Sequence, residues 1–230
     1  MKNLFLFISV CLFSFSTAFS QACDSYFPAE VGKSWEITNY DAKGKIESVQ
    51  KSSILSATEK DGGLLVTIEV ISYDPKDKEM HKQTFTTFCK DGLFYIDMSA
   101  FMSPEAMGGE GSGAQMQMEA QNMELPTGLT VGQKLPDAWI KITMQTEGMP
   151  TMFSQTINIV NRVVESFESM TTPAGTFNCV KITWDTQMKM VFNVQTHSKV
   201  WYALNVGTVR SEYYDKKGKM TGYSVLTKFN

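Results

Sequence analysis

Between Leu64 and Val70 the chain repeats with a period of two: Leu64, Val66, Ile68 and Val70 fall on one face, and Thr67 and Glu69 on the other. Successive side chains of a strand point to opposite sides, so this pattern describes a half-buried strand and is incompatible with a helical stripe. Trp35 and Ile37 alternate in the same way with Glu36 and Thr38, and Ile140, Ile142 and Met144 alternate with Lys141 and Thr143. Further runs at 80–89, 93–98, 157–167, 177–184, 200–203, 208–214 and 223–229 bring the expectation to about a dozen strands in an all-β chain.

The connections carry hairpin chemistry. One motif occurs three times, as Tyr40-Asp41-Ala42-Lys43-Gly44-Lys45, Tyr73-Asp74-Pro75-Lys76-Asp77-Lys78 and Tyr214-Asp215-Lys216-Lys217-Gly218-Lys219. Aspartate opens such a turn by bonding its own backbone, and glycine supplies the positive φ that closes a bulged hairpin. In the middle copy Asp77 has to take that position. Pro173-Ala174-Gly175 reads as another tight hairpin, with proline presetting φ and glycine taking a left-handed conformation. One stretch breaks the rhythm: in residues 99–113, Ser103 can cap a single helical turn that Gly108-Gly109 stops, which predicts one short helical flap. Alternation resumes at Met116, Met118 and Ala120, but Met123 and Leu125 have changed face, which predicts a bulge near Gln121-Asn122. Many antiparallel strands with short hairpins curl most simply into an open or closed barrel, because closure removes exposed edges. Two packed sheets are the alternative.

Residues 1–20 pair Lys2 with a short apolar run and end in Ala18-Phe19-Ser20, the pattern of a cleavable secretory signal. No later segment is apolar enough for a transmembrane helix. The expectation is an exported protein of the periplasm or cell surface, with residues 21–230 as a single β-barrel-like domain. In an oxidising compartment disulfides persist. Cys23 and Cys89, at flexible ends, form the expected pair, and Cys179, inside a strand, the expected free thiol. Three unpaired thiols are the alternative.

Composition narrows the function classes. Acidic residues number 24 against 21 basic ones, for a net charge of −3. That balance, without clustered Lys and Arg, excludes a nucleic-acid backbone as the expected partner. The chain has two histidines, His81 and His197, each among polar neighbours and without a recognisable nucleophile motif, and Glu165 with Glu168 reads as surface strand charge. No phosphate loop, dinucleotide fingerprint or zinc spacing is present. The expectations are therefore no catalytic residue, no cofactor and no metal. Methionine is the oddity, with nine of the fifteen between Met98 and Met152. Thioethers suit copper(I), but no nearby His or Cys completes a site. Methionine also fills cores or lines surfaces for shape-variable ligands. Met116, Met118 and Met144, with Trp139, are accordingly the candidate ligand-binding residues. Among the other tryptophans, Trp184 reads as core, and Trp201, between Val200 and Tyr202, reads with Trp139 as a surface for stacking on sugars or, alternatively, as a sheet edge covered by the flap.

The opening Cys23-Asp24-Ser25-Tyr26-Phe27-Pro28, the turn Thr172-Pro173-Ala174-Gly175-Thr176-Phe177, the strand Val200-Trp201-Tyr202-Ala203 with Val206-Gly207-Thr208-Val209, and the ending Gly218-Lys219-Met220-Thr221-Gly222-Tyr223 resemble exported bacterial proteins called TapB-like, or similar to domain-of-unknown-function 3108. The likeness covers nearly all of the chain after the signal. It implies an antiparallel barrel-like fold outside the cytoplasm and no established activity, and it carries over no catalytic residue. The expected function is a non-catalytic binding or scaffold module for a hydrophobic ligand, or alternatively a structural or adhesive protein acting through envelope protein partners.

Overall fold

The computed structural model describes residues 25–96, 98, 114–146, 153–189 and 193–230. The signal expected at 1–20, Cys23 and the flap expected at 99–113 lie outside the described residues. Thirteen strands are found within them: β1 (Ser34–Asp41), β2 (Ile46–Lys60), β3 (Gly63–Tyr73), β4 (Glu79–Lys90), β5 (Leu93–Ile96), β6 (Ala114–Gln121), β7 (Met123–Pro126), β8 (Ala138–Thr146), β9 (Phe153–Thr172), β10 (Gly175–Lys189), β11 (Asn193–Ala203), β12 (Gly207–Asp215) and β13 (Met220–Phe229). They form one antiparallel sheet in the order β6-β8-β9-β10-β11-β12-β13-β1-β2-β3-β4-β5-β7. No described helix is long and apolar enough to cross a membrane.

The sheet is a nearly closed barrel, and its seam has a simple cause. β6 and β7 are separated by Asn122 alone, yet β6 pairs with β8 at one end of the sheet and β7 pairs with β5 at the other. One run of chain therefore touches both edges. The face switch expected near Gln121-Asn122 falls at this break, but a change of strand partner makes it in place of the expected bulge: residues 117–122 are exposed, whereas Met123 and Leu125 are buried.

The three aspartate turns have the same geometry. Asp41 Oδ1 accepts the N–H groups of Lys43 and Lys45 at 2.8 and 2.9 Å. Asp74 and Asp215 repeat both bonds at the same distances. Gly44 and Gly218 adopt φ of 82° and 78°, and Asp77 adopts 61° in their place. Because β12, β13, β1, β2, β3 and β4 are consecutive neighbours, the turns stand side by side along one rim. At the opposite rim, Pro173 and Ala174 form the two-residue turn and Gly175 opens β10 with φ of 139°, which is positive but well beyond the left-handed helical value expected from the sequence.

The buried apolar residues form two clusters. The first includes Ile140, Ile142, Val164, Val180, Ile182, Trp184, Val200 and Tyr202. The second includes Trp35, Ile54, Val66, Ile68, Cys179, Trp201, Val209 and Leu226. Adjacent residues of a strand face opposite ways, so the presence of Cys179 and Val180, and of Trp201 and Tyr202, in different clusters means that β10 and β11 are buried on both sides there. They act as a wall between the cores. β2 escapes the apolar alternation pattern because its positions opposite Asn39, Ile37 and Trp35 are Ser48, Gln50 and Ser52, and because its register shifts between Ile54 and Ser56.

Candidate functional site

The methionine candidates meet in part. β6 and β8 place Met116 opposite Met144 and Met118 opposite Ile142. These four positions share one face. Met118 is 39% exposed although Ile142 is fully buried, which leaves an apolar side chain open on the end strand of the sheet. Trp139 does not join them. Its odd position puts it on the opposite face, half-buried, with Nε1 donating to Gln121 Oε1 at 3.2 Å. A Lys141–Glu119 ion pair at 3.8 Å occupies the same outer face.

The other tryptophan expectation changes as well. Trp201 is 5% exposed, and its indole N–H donates to the Glu168 carboxylate, so its ring is a core element and no stacking surface. Glu165 is bound separately by Lys181 at 2.8 Å, and the hydrogen bond from Lys181 holds it below the usual carboxylate range. The two acids thus have different partners. Cys89 is disulfide-bonded. Cys179 is free and buried, and burial, with the Glu168 charge behind it, pushes its thiol up to about 11.

Two features were not anticipated from the sequence. Arg162 on β9 is 2% exposed. It donates from Nη1 to Pro136 O at 2.7 Å and from Nη2 to Glu124 O at 2.8 Å. Glu124 lies on β7, so the guanidinium spans the seam where β7 has no strand partner on that side. Burial depresses its basicity, opposed by Tyr202, Glu124 and Asp137, and Nε has no hydrogen-bond partner among the described residues.

The second feature is a polar row across the outside of the barrel. Register places Asp185, His197 and Tyr214 in line on β10, β11 and β12. His197 Nδ1 lies 3.0 Å from Asp185 Oδ1, and Asn161 Nδ2 donates to Asp185 Oδ2 at 2.9 Å. Burial works against the Asp185 carboxylate, but these two hydrogen bonds outweigh it and hold the group below the usual range. Farther along, Tyr214 donates to Glu212 Oε2 at 2.6 Å, and Arg210 pairs with Glu212 Oε1 at 2.9 Å. Burial, then the Glu212 bond and charge, push the Tyr214 hydroxyl up to about 12. Beside this row is an open groove of about 390 Å³, bounded by β10, β11 and the β12–β13 turn. The signal available in sequence was only that His197 sits among polar neighbours; its partner is on another strand.

The sequence matches the family described as DUF3108-like over residues 30–226. The chain belongs to the DUF3108-like family. Two crystal structures share the family member's fold. One is a "putative exported protein with YmcC-like fold" from Bacteroides fragilis, 24% identical, with a TM-score of 0.72, covering 90% of this chain and 100% of its own. The other is a "putative lipoprotein" from Parabacteroides distasonis, also 24% identical, with a TM-score of 0.73, covering 91% of this chain and 100% of its own. No curated protein sequence matches. The DUF3108-like assignment agrees with the resemblance carried by the Pro173 turn and the Val200 to Val209 strands, and the all-β barrel expectation agrees with the fold of both structures.

Proposed function

We propose that this DUF3108-like protein is an exported envelope protein that binds or scaffolds, without catalysing, and that its apolar contact is the methionine edge of β6 and β8. Export is supported by the signal pattern in residues 1–20 and by the names of the two structural neighbours. The observation that carries the binding site is Met118, exposed on the end strand and aligned with Met116 and Met144. Flexible thioethers adapt to apolar ligands of varied shape. Ile142, which faces Met118 across the β6–β8 pair, is fully buried, so a hydrophobic ligand engages the exposed edge. On the polar side, His197 Nδ1 is bound to the Asp185 carboxylate, which fixes the ring for recognition through Nε2.

The test is binding of an anilinonaphthalene dye to the purified protein and to Met118→Ser. The variant is expected to bind less dye with an unchanged far-UV spectrum. Equal dye binding removes the methionine edge as the site. The open backbone edge of β6 also favours a second reading, in which a protein partner adds a strand. A strand partner protects the amides of residues 117–121 from hydrogen exchange, whereas a small apolar ligand leaves them unchanged.

A further inference from the structure

We propose that the outer groove between β10, β11 and the β12–β13 turn binds a phosphate group, held by Lys199, Lys216 and the Nε2 edge of His197. The argument rests on which groups already have partners. Asp185 and Asp215 both line the groove, but three of their four carboxylate oxygens are engaged. Asp185 uses Oδ1 for His197 and Oδ2 for Asn161, and Asp215 Oδ1 accepts the N–H groups of Lys217 and Lys219. The donors are not engaged in the same way. Neither Lys216 nor Lys199 forms an ion pair among the described residues; Lys199 Nζ lies over the Tyr214 ring, 5.0 Å from its centroid, and its charge also reaches the Glu165 carboxylate. Gln195 and Thr196 add further polar groups on the same wall.

A tetrahedral oxyanion suits this arrangement because it accepts from several directions at once, and ammonium groups serve it as mobile point charges. The bond from His197 Nδ1 to Asp185 fixes the ring so that Nε2 is the nitrogen left for a ligand, as carboxylates behind ligand-binding histidines do elsewhere. The two aspartates balance the two lysines in formal charge, so the fit depends on donor placement more than on net field. A free phosphate and the phosphate of a lipid headgroup offer the same chemistry.

The experiment is a titration of the intact protein followed by imidazole NMR at constant ionic strength. Inorganic phosphate is one probe, and vesicles of phosphatidylglycerol in phosphatidylcholine are the other. His81, on β4, is the internal control. The expected result is a saturable shift of the His197 signals with His81 unmoved, and at least about tenfold weaker binding in the Lys199→Gln/Lys216→Gln double variant. A response to phosphate assigns a small phosphate ligand, and a response to vesicles alone assigns a headgroup. No His197 shift with either probe, or undiminished binding by the double variant, overturns the proposal.

Discussion

At the scale of single residues, two aspartates and one asparagine direct much of the chain's path. Asp41 and Asp215 lie at exposed turns, yet each carboxylate is held below its ordinary value, first by the N–H of Lys45 or Lys219 and then by a second backbone donor. A carboxylate with a depressed folded value contributes stability above its unfolded value of about 4, and that contribution is lost as pH falls through the folded value. Asp215→Ala is therefore expected to lower the melting temperature at pH 7, with the difference from the parent closing as the pH is taken well below 4. Thermal melts at pH 7 and pH 2 measure it, and equal midpoints at pH 7 would show that the turn holds without its aspartate. Asn161 acts differently. Its φ of 58° is one that asparagine tolerates better than most residues, and it sits where β9 changes face.

That change of face belongs to the element scale. Ile157 and Ile159 point into the first core, as does Val164, although they differ in parity. Opposite them on β10, Thr183 pairs with Val163 and Asp185 with Val160, leaving Trp184 alone against Asn161 and Arg162. Two residues facing one is a β-bulge, and its result is that Arg162 turns inward. Without the bulge the arginine would lie on the outer face and the seam at β7 would lose its bridge. Arg162→Ala strips donors from the carbonyls of Glu124 and Pro136 and leaves a cavity, so it is expected to destabilise by about 3 kcal/mol. Chemical denaturation measures the loss, and hydrogen exchange should show β7 opening first. A variant as stable as the parent would mean that the seam closes through the covalent continuity of β6 and β7 alone.

At the scale of the whole molecule, the barrel is a meander whose neighbours are mostly successive in sequence, and its first long-range covalent constraint is the bridge at Cys89. With Cys179 free, the expected partner is Cys23, which would tie the segment ahead of β1 to the end of β4. Closing such a loop stabilises by roughly 4 kcal/mol in the chain-entropy model. Peptide mapping without reduction should recover a linked peptide containing Cys23 and Cys89. A bridge to Cys11 would show instead that the N-terminal segment is retained.

Much of the sheet was legible from local pattern. Period-two alternation marked β3 and β8, and the Tyr-Asp-x-Lys motif marked three hairpins, because strand faces and turn conformations depend on residues within a few positions of one another. The family could be read from short motifs for the same reason. What depended on residues far apart had to wait for the tertiary structure. Trp201 and Trp139 look alike in sequence, and only the fold buries one against Glu168 and leaves the other beside Gln121. The Asn161–Asp185–His197 row joins three strands, and Arg162 meets carbonyls 26 and 38 positions away. Sequence alone determined that this chain would form an antiparallel sheet with aspartate-capped turns. Which polar groups converge, and how the seam is closed, was decided by register and curvature, because those set the distances across strands that no local pattern encodes.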